Sequence, residues 1–484
     1  MDNAPRAERR ALLRAAALLG LYVSLALLPV VLAWAQGLAR RPWHEELASG
    51  LAMAAFAMLL MEFILAGRGR ALSRALGMDL TMRMHQFAGV TALALLTLHP
   101  MLYGPMYSEP QLWDPLRNRS VVLTNAALAS GVLGLLLLIA LVLLAALRAR
   151  VAMAYETWRL THVLGSLLVA GAGLHHTLDT GRYAQDPLSA GFWIGATALA
   201  AGALLKVYLV DPLLAERQPY HVASVEPVAE RTWRLRLEPT TARTLRFRGG
   251  QFIWLKLGRA FAQLSEHPFS IASGPAPGGR IDLLIKAAGD FTSTVGALAP
   301  GTPAFLDGPY GNFTLAGREG EGILLVAGGI GVAPILSILH ELAAQGDTRP
   351  VRLVYGNRSV AQVAARPELE ALATQLDLTL DLVLSEPPPD WNGRRGVLDK
   401  NTLAACMPPT RRAHWLYFVC GPGEMIDAVE SSLDALGVPL ERIVSERFRY
   451  QGGAPTPRET LLRRIAGAAL GLILLGVLAF AVLR

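Results

Sequence analysis

Six apolar runs, each close to 20 residues, recur at about 12–35, 47–66, 84–103, 121–147, 160–178 and 190–210, and a seventh covers Leu461–Leu483. Each is long enough, at about 1.5 Å per residue, for a helix across a hydrocarbon layer about 30 Å thick. Nothing else in the chain restricts its fold as strongly, because a segment in lipid must satisfy its backbone hydrogen bonds internally. The first run is too long for the apolar part of a cleaved signal peptide, and more runs follow it. Composition agrees. Of 484 residues, 52% are hydrophobic and 17% charged, whereas a soluble domain is about 25% charged. Disorder and nucleic-acid binding are thereby excluded as overall readings, and a lipid bilayer is the expected surrounding.

The net charge of +7 is uneven. Residues 1–210 hold 17 Lys and Arg against 11 Asp and Glu and so carry +6 of it. With the N-terminus cytoplasmic, twelve basic residues fall on the inner side of the six runs, Arg83 and Arg159 among them, and five (Arg40, Arg41, Arg117, Arg119, Arg182) on the outer side. The bias toward positive inner loops orients the six spans that way and puts everything after Asp211 first in the cytoplasm. The last run carries Arg463 and Arg464 at its start and has no polar face beyond them, so it reads as a seventh span, not as a helix lying on the membrane. The chain has two cysteines, Cys406 and Cys420. That count excludes a disulfide scaffold and a cysteine-based zinc or iron–sulfur site. Metal chemistry must rest on histidine.

Five histidines lie in spans three and five: His85 and His99, then His162, His175 and His176. A polar ring in hydrocarbon is costly and is usually paired or functional. The 14 residues from His85 to His99 turn about 1400°, about 40° short of four turns, so both rings share a face about 21 Å apart along the axis. Both spans run outward, so His162 matches His85 in depth and His175 matches His99. Two such helices would hold two stacked hemes by bis-histidine ligation, since imidazole suits heme iron and two strong axial ligands favour electron transfer. The second spacing is less regular. His162 to His175 is 13 residues, about 140° off one face, whereas His176 restores the face. A local bulge would reconcile the two. Arg83 and Arg159 lie beside the inner histidines, where heme propionates need a cation and where inner-leaflet arginines also belong. Glu62 reads as interfacial.

Residues 213–450 read as soluble. To about residue 315, alternating runs such as Thr232–Leu237, Phe252–Leu257 and Ile281–Lys286 lie between Gly/Pro turns, the pattern of an antiparallel barrel. From Gly322, apolar strands alternate with helix-like stretches, which implies a parallel α/β sheet. His267-Pro268-Phe269-Ser270 beside the barrel offers a hydroxyl and backbone groups to a flavin edge. The Gly289-Asp290-Phe291-Thr292 turn opens a helix suited to a pyrophosphate. Gly328-Gly329-Ile330-Gly331 with Pro334 joins a buried strand to a helix and would let backbone N–H groups approach a nucleotide phosphate. Cys420-Gly421-Pro422 ends the last apolar strand, where it would border a nicotinamide. The thiol reads as a packing contact. Arg358 follows another strand, where it would meet a ribose 2′-phosphate. A solvated arginine fits equally, so NADPH and NADH both stand.

The ordered set His85…His99, Thr161-His162…His175, His-Pro-Phe-Ser at 267–270, Gly-Pro-Tyr-Gly at 308–311, Gly-Gly-Ile-Gly-Val-Ala-Pro at 328–334, Cys-Gly-Pro at 420–422 and Ser-Glu-Arg-Phe at 445–448 resembles the ferric reductase / NADPH oxidase superfamily in its bacterial form. The resemblance covers about residues 10–450. It implies a six-helix heme membrane domain at 10–210, an FAD-binding β-barrel domain at 213–315 and a NAD(P)-binding α/β domain at 320–450. A linker at 451–460 and a C-terminal transmembrane helix at 461–483 would follow. It implies two b-type hemes, FAD, and NADPH or NADH, in a multi-pass protein of the bacterial inner membrane. Carried over, His85 pairs with His162 and His99 with His175. Residues 267–270 contact FAD, with Gly289, Asp290 and Thr292 near its phosphates. Gly328, Gly329, Gly331 and Pro334 cradle the nucleotide, with Gly421 and Pro422 near the nicotinamide. Many relatives end in an aromatic residue stacked on the flavin. Phe448 or Tyr450 takes that place here, but the chain continues.

Where oxygen-reducing members carry a further histidine one turn beyond the outer ligand, this chain has Tyr103. The expected activity is therefore electron transfer from cytoplasmic NAD(P)H through FAD and the hemes to an outer ferric or other metal complex. The alternatives are a superoxide-generating NADPH oxidase, with oxygen as acceptor, and an electron-supplying subunit docked on a membrane partner through residues 461–483.

Overall fold

The computed structural model describes residues 4–66, 78–103, 128–151, 153, 155–215, 219–258, 266–276, 278–408, 410, 412–447 and 457–484. The chain divides into two compact units, one helical and one built on two sheets.

Among the described residues, the helical unit holds seven long helices: α1 (Ala4–Ala35), α2 (Trp43–Ala66), α3 (Met78–Met101), α4 (Ala129–Val151), α5 (Tyr155–Thr180), α6 (Pro187–Leu205) and α12 (Pro457–Leu483). Five regions, on α1, α2, α4, α6 and α12, are long and apolar enough to cross a membrane by length and composition. The remaining two, α3 and α5, have the length but carry the histidines and further polar groups. The helix ends are built locally. Asp186 caps α6 by accepting the Ser189 N–H at 3.0 Å, and Pro187 takes the first helical position, where a missing N–H costs nothing.

Of these five, α2 is the most enclosed. Phe56 stacks on Trp193 of α6 at 5.2 Å. A Cβ on Gly173 of α5 would lie 2.6 Å from that Phe56 ring, so only glycine admits the contact. One face of α12 is also internal: Ile473, Val477, Phe480 and Ala481 are buried. A Cβ on Gly50 of α2 would meet Val477 at 2.8 Å, and one on Gly476 would meet Leu27 of α1 at 2.9 Å. At its end, Arg484 reaches the fully buried carboxylate of Glu46 at 3.3 Å and the Leu38 carbonyl at 3.1 Å. The seventh helix is thus part of the bundle. Its other face, with Leu472, Leu475 and Leu478, is exposed. Residues 457–460, expected in a linker, already belong to α12.

The second unit contains twelve strands among the described residues. An antiparallel sheet is formed by β1 (Pro219–Ala229), β2 (Thr232–Pro239), β3 (Phe252–Leu257), β4 (His267–Ser270), β5 (Ile281–Lys286) and β6 (Pro303–Tyr310), in the order β4-β3-β6-β1-β2-β5. Its two end strands approach each other through a bridge from Ile271 to Leu283, around a core that includes Leu235, Ile253 and Leu283. A short helix, α7 (Asp290–Thr294), follows β5. The parallel sheet has the order β10-β9-β8-β7-β11-β12, with β7 (Gly322–Gly328), β8 (Val351–Asn357), β9 (Leu378–Leu384), β10 (Arg394–Arg395), β11 (Trp415–Gly421) and β12 (Ile443–Arg447). Four helices connect these strands: α8 (Val332–Gln345), α9 (Arg366–Leu372), α10 (Lys400–Cys406) and α11 (Gly423–Ala435). Strand order reverses between β7 and β11. In an open α/β sheet, ligands bind beyond the carboxyl ends of the strands at such a point.

Candidate functional site

In the helical unit, α2 supports both histidines of α3. The His85 Nδ1 lies 2.8 Å from the Oε2 of Glu62, and the His99 Nδ1 lies 2.8 Å from the Ala48 carbonyl. Ala48 and Glu62 are themselves 14 residues apart, as the two histidines are. Each Nδ1 is therefore occupied, and Nε2 is the nitrogen on which a metal could be held. His85 faces His162 of α5 with ring centroids 6.2 Å apart at 78°. His162 stacks on Trp158 at 5.4 Å, and its Nδ1 is buried with no partner among the described residues. Beside His85, one turn along, nothing lies within 4 Å of where a Gly89 Cβ would stand. Among the described residues no cluster of three or more His, Cys, Asp or Glu occurs. His85 and His162 come as facing rings with open space at Gly89, and this donor pair fits a group that brings its own equatorial ligands.

Glu62, read from the sequence as interfacial, is 4% exposed and faces His85. One signal for it is visible in the chain: a carboxylate inside an apolar run, at the depth of a histidine. No bulge reconciles the two spacings, because α5 is α-helical throughout Tyr155–Thr180. His175 and His176 both meet the start of α4. The His175 Nδ1 is 3.0 Å from the Ser130 hydroxyl, and the His176 ring lies against Gly131, where a Cβ would be 2.7 Å away. The His176 Nδ1 also has Thr180 Oγ1 at 3.1 Å. The Tyr103 ring meets His99 edge-on at 5.3 Å, and its hydroxyl is 2.9 Å from the Ser49 hydroxyl. Arg159 donates from Nε to the Tyr208 hydroxyl at 3.0 Å.

In the second unit, pairing with β3 sets the 267–270 strand, with Phe252 opposite Ser270 and Leu255 opposite His267. The His267 ring stacks on Phe291 at 3.8 Å, and Phe269 stacks on the same ring at 6.1 Å. These contacts bring the 267–270 and 289–292 segments together. The Thr292 hydroxyl accepts the Gly289 and Ala288 N–H groups at 2.9 Å each and closes the turn. The helix it opens is only five residues long. The Ser270 Oγ is buried with no protein partner among the described residues, an acceptor and donor left for a ligand such as a flavin.

At the β7–β11 switch point the two glycine segments pack against each other. A Cβ on Gly331 would collide with the Cys420 carbonyl, and one on Gly421 would lie 2.7 Å from Met425. The Tyr355 hydroxyl donates to the Gly329 carbonyl at 3.0 Å and accepts the Ala364 N–H at 3.2 Å, which fixes the loop. Burial pushes the Tyr355 phenol up to about 12, so it stays protonated. Gly331 precedes α8, whose first turn includes the buried Pro334. Cys420 lies in the core opposite Glu446 on β12. Burial, helped by Glu446, holds its thiol well above the ordinary range, so it is no thiolate. Arg358 is 67% exposed and paired with Glu386 at 2.8 Å. Phe448 and Tyr450 lie outside the described residues.

Three family models match the chain: ferric reductase like transmembrane component over residues 51–173, FAD-binding domain over 219–314, and oxidoreductase NAD-binding domain over 325–431. The reductase component of propane 2-monooxygenase from Rhodococcus jostii is 32% identical over 238 residues, 47% of this chain and 62% of that one. An NAD(P)H-flavin reductase from Aliivibrio fischeri is 31% identical over 197 residues, 38% of this chain and 81% of that one. The chain spans 62–66% of the length of the propane 2-monooxygenase reductase components it matches. Among solved structures, the flavohemoglobin of Malassezia yamatoensis aligns with a TM-score of 0.47 at 20% identity, over 85% of this chain and all of that one. A ferric-reductase membrane component followed by FAD- and NAD-binding domains, in that order, is the architecture of one superfamily, and the chain belongs to it: the ferric reductase / NADPH oxidase superfamily.

Proposed function

We propose that the protein takes electrons from NAD(P)H on the cytoplasmic side of a bacterial inner membrane and delivers them to a ferric or other metal complex outside. The carrying observation is the His85–His162 pair, 6.2 Å apart, in a chain that also has the two-sheet nucleotide module. When bound, FAD accepts hydride as an electron pair and two b-type hemes pass single electrons.

The protein's share is positioning. His85 and His162 are the inner ligands, and His99 with His175 or His176 the outer ones. Helical phase speaks for His176 and the family pattern for His175. Ser270 offers its hydroxyl to the flavin edge, with His267, Pro268 and Phe269 along the same strand. Gly289, Asp290 and Thr292 lie at the FAD phosphates. Gly328, Gly329 and Gly331 present backbone N–H groups to the nucleotide, and Gly421 and Pro422 border the nicotinamide. Cys420 backs that turn from the core. The pairing of Arg358 with Glu386 gives no preference for NADPH over NADH. The domain limits read from the sequence stand as part of this proposal, except that the last helix begins at Pro457.

Tyr103, seated on His99 where a histidine would serve oxygen reduction, favours a metal complex over oxygen. The likeness to monooxygenase reductase components supports a second reading, an electron-supplying subunit for a partner. Sealed vesicles with NAD(P)H on the reductase side separate the readings. Reduction of ferric complexes in the opposite compartment, insensitive to superoxide dismutase, is the expected result. Iron-independent oxygen uptake with superoxide in that compartment selects the oxidase. Turnover only after a partner is added selects the subunit.

A further inference from the structure

The two histidines of α3 are held by acceptors of different kind, a carboxyl group and a backbone carbonyl. Glu62, a carboxylate buried to 4% exposure, faces the Nδ1 of His85 at 2.8 Å. The neutral Ala48 carbonyl faces the Nδ1 of His99 at the same distance. The other polar neighbour of Glu62 is the buried Tyr22 hydroxyl of α1. No Lys or Arg is paired with Glu62 among the described residues.

When a metal occupies Nε2, the Nδ1 must keep its proton and donate it. A carboxylate acceptor draws that proton away from the ring, fixes the ring orientation and makes the imidazole a stronger electron donor than a carbonyl acceptor does. A better donor favours the oxidised metal and lowers the midpoint potential, since second-shell hydrogen bonding and burial are among the protein's levers on a heme.

Building on the heme assignment above, we propose that Glu62 is a positioning residue for His85 that makes the inner heme the lower-potential one. The unequal acceptors along α2 would then set a downhill direction from the inner pair to the outer pair. Glu62 touches neither nucleotide nor acceptor. It acts through His85.

The test is a redox titration of the purified full chain with both hemes, followed by heme absorption. Two components are expected, with His85→Ala removing the lower and His99→Ala the higher. Glu62→Gln keeps shape and an acceptor but removes the charge. It should shift the lower component upward by at least about 59 mV, the equivalent of a tenfold change for one electron, with the higher component unmoved. A Glu62→Gln titration identical to the parent, or equal shifts in both components, overturns the proposal. Loss of the lower component in His99→Ala overturns it even if Glu62→Gln does not fold. If no heme is bound, or neither histidine variant changes the titration, the heme assignment itself fails instead.

Discussion

At the scale of single residues, adjacent imidazoles on one regular helix pose a sharp question. His175 and His176 are separated by about 100° around α5, so they cannot both point at the same partner. Replacing each separately should remove the outer heme in only one of the two variants, read as loss of half the b-type absorbance. Equal loss in both, or in neither, would contradict ligation by this pair. The residue level is also where the sequence was least legible. Histidine positions in an apolar run are visible by type and spacing, but the acceptors behind them are not. Glu62 comes to His85 from another helix across 23 positions of sequence. Ala48 contributes only a backbone carbonyl, which no side chain advertises. The same holds for Tyr355, whose hydroxyl reaches a glycine loop 26 positions away.

Elements were easier to read, because periodicity and apolar length are properties of a segment alone. The alternating runs of β2, β3 and β5 lie in one antiparallel sheet and the apolar runs of β7 and β11 in a parallel one. What joins elements was hidden. Glu368 of α9 receives Arg234 of β2 and faces His340 of α8 at 2.6 Å, tying the antiparallel sheet to the helices of the parallel one. Burial raises the proton affinity of this carboxyl, but the His340 and Arg234 hydrogen bonds outweigh it and hold it below its ordinary 4.5. As pH falls, the unfolded chain binds that proton first. The clamp therefore stabilises fully above pH 4.5 and is lost as pH drops through the lower folded value. Glu368→Gln should cost about 2 kcal/mol near neutrality. Its unfolding temperature should converge on that of the parent once pH has fallen through the lowered folded-state value. A gap that persists in acid would assign the loss to packing.

For the whole molecule, the histidine pairs, the flavin segment and the nucleotide loops belong to one chain. The helix α12 follows the sheets in sequence but completes the bundle in space. Deleting residues 457–484 should lower heme content and the unfolding temperature of the membrane part in detergent. NAD(P)H-driven reduction of a soluble artificial acceptor should persist. Unchanged heme content and thermal stability would show that the buried face of α12 is dispensable. The docking of α12 against α1 and α2, at opposite ends of the chain, also bears on biogenesis. Roughly 250 residues separate α6 from α12, and at about 5–20 residues per second they take on the order of 10–50 s to make. For that interval the first helices wait with the groove at Gly50 open and Glu46 without its Arg484 partner. A chaperone or insertase that shelters an unfinished bundle would have its window then, and heme insertion would have an open side.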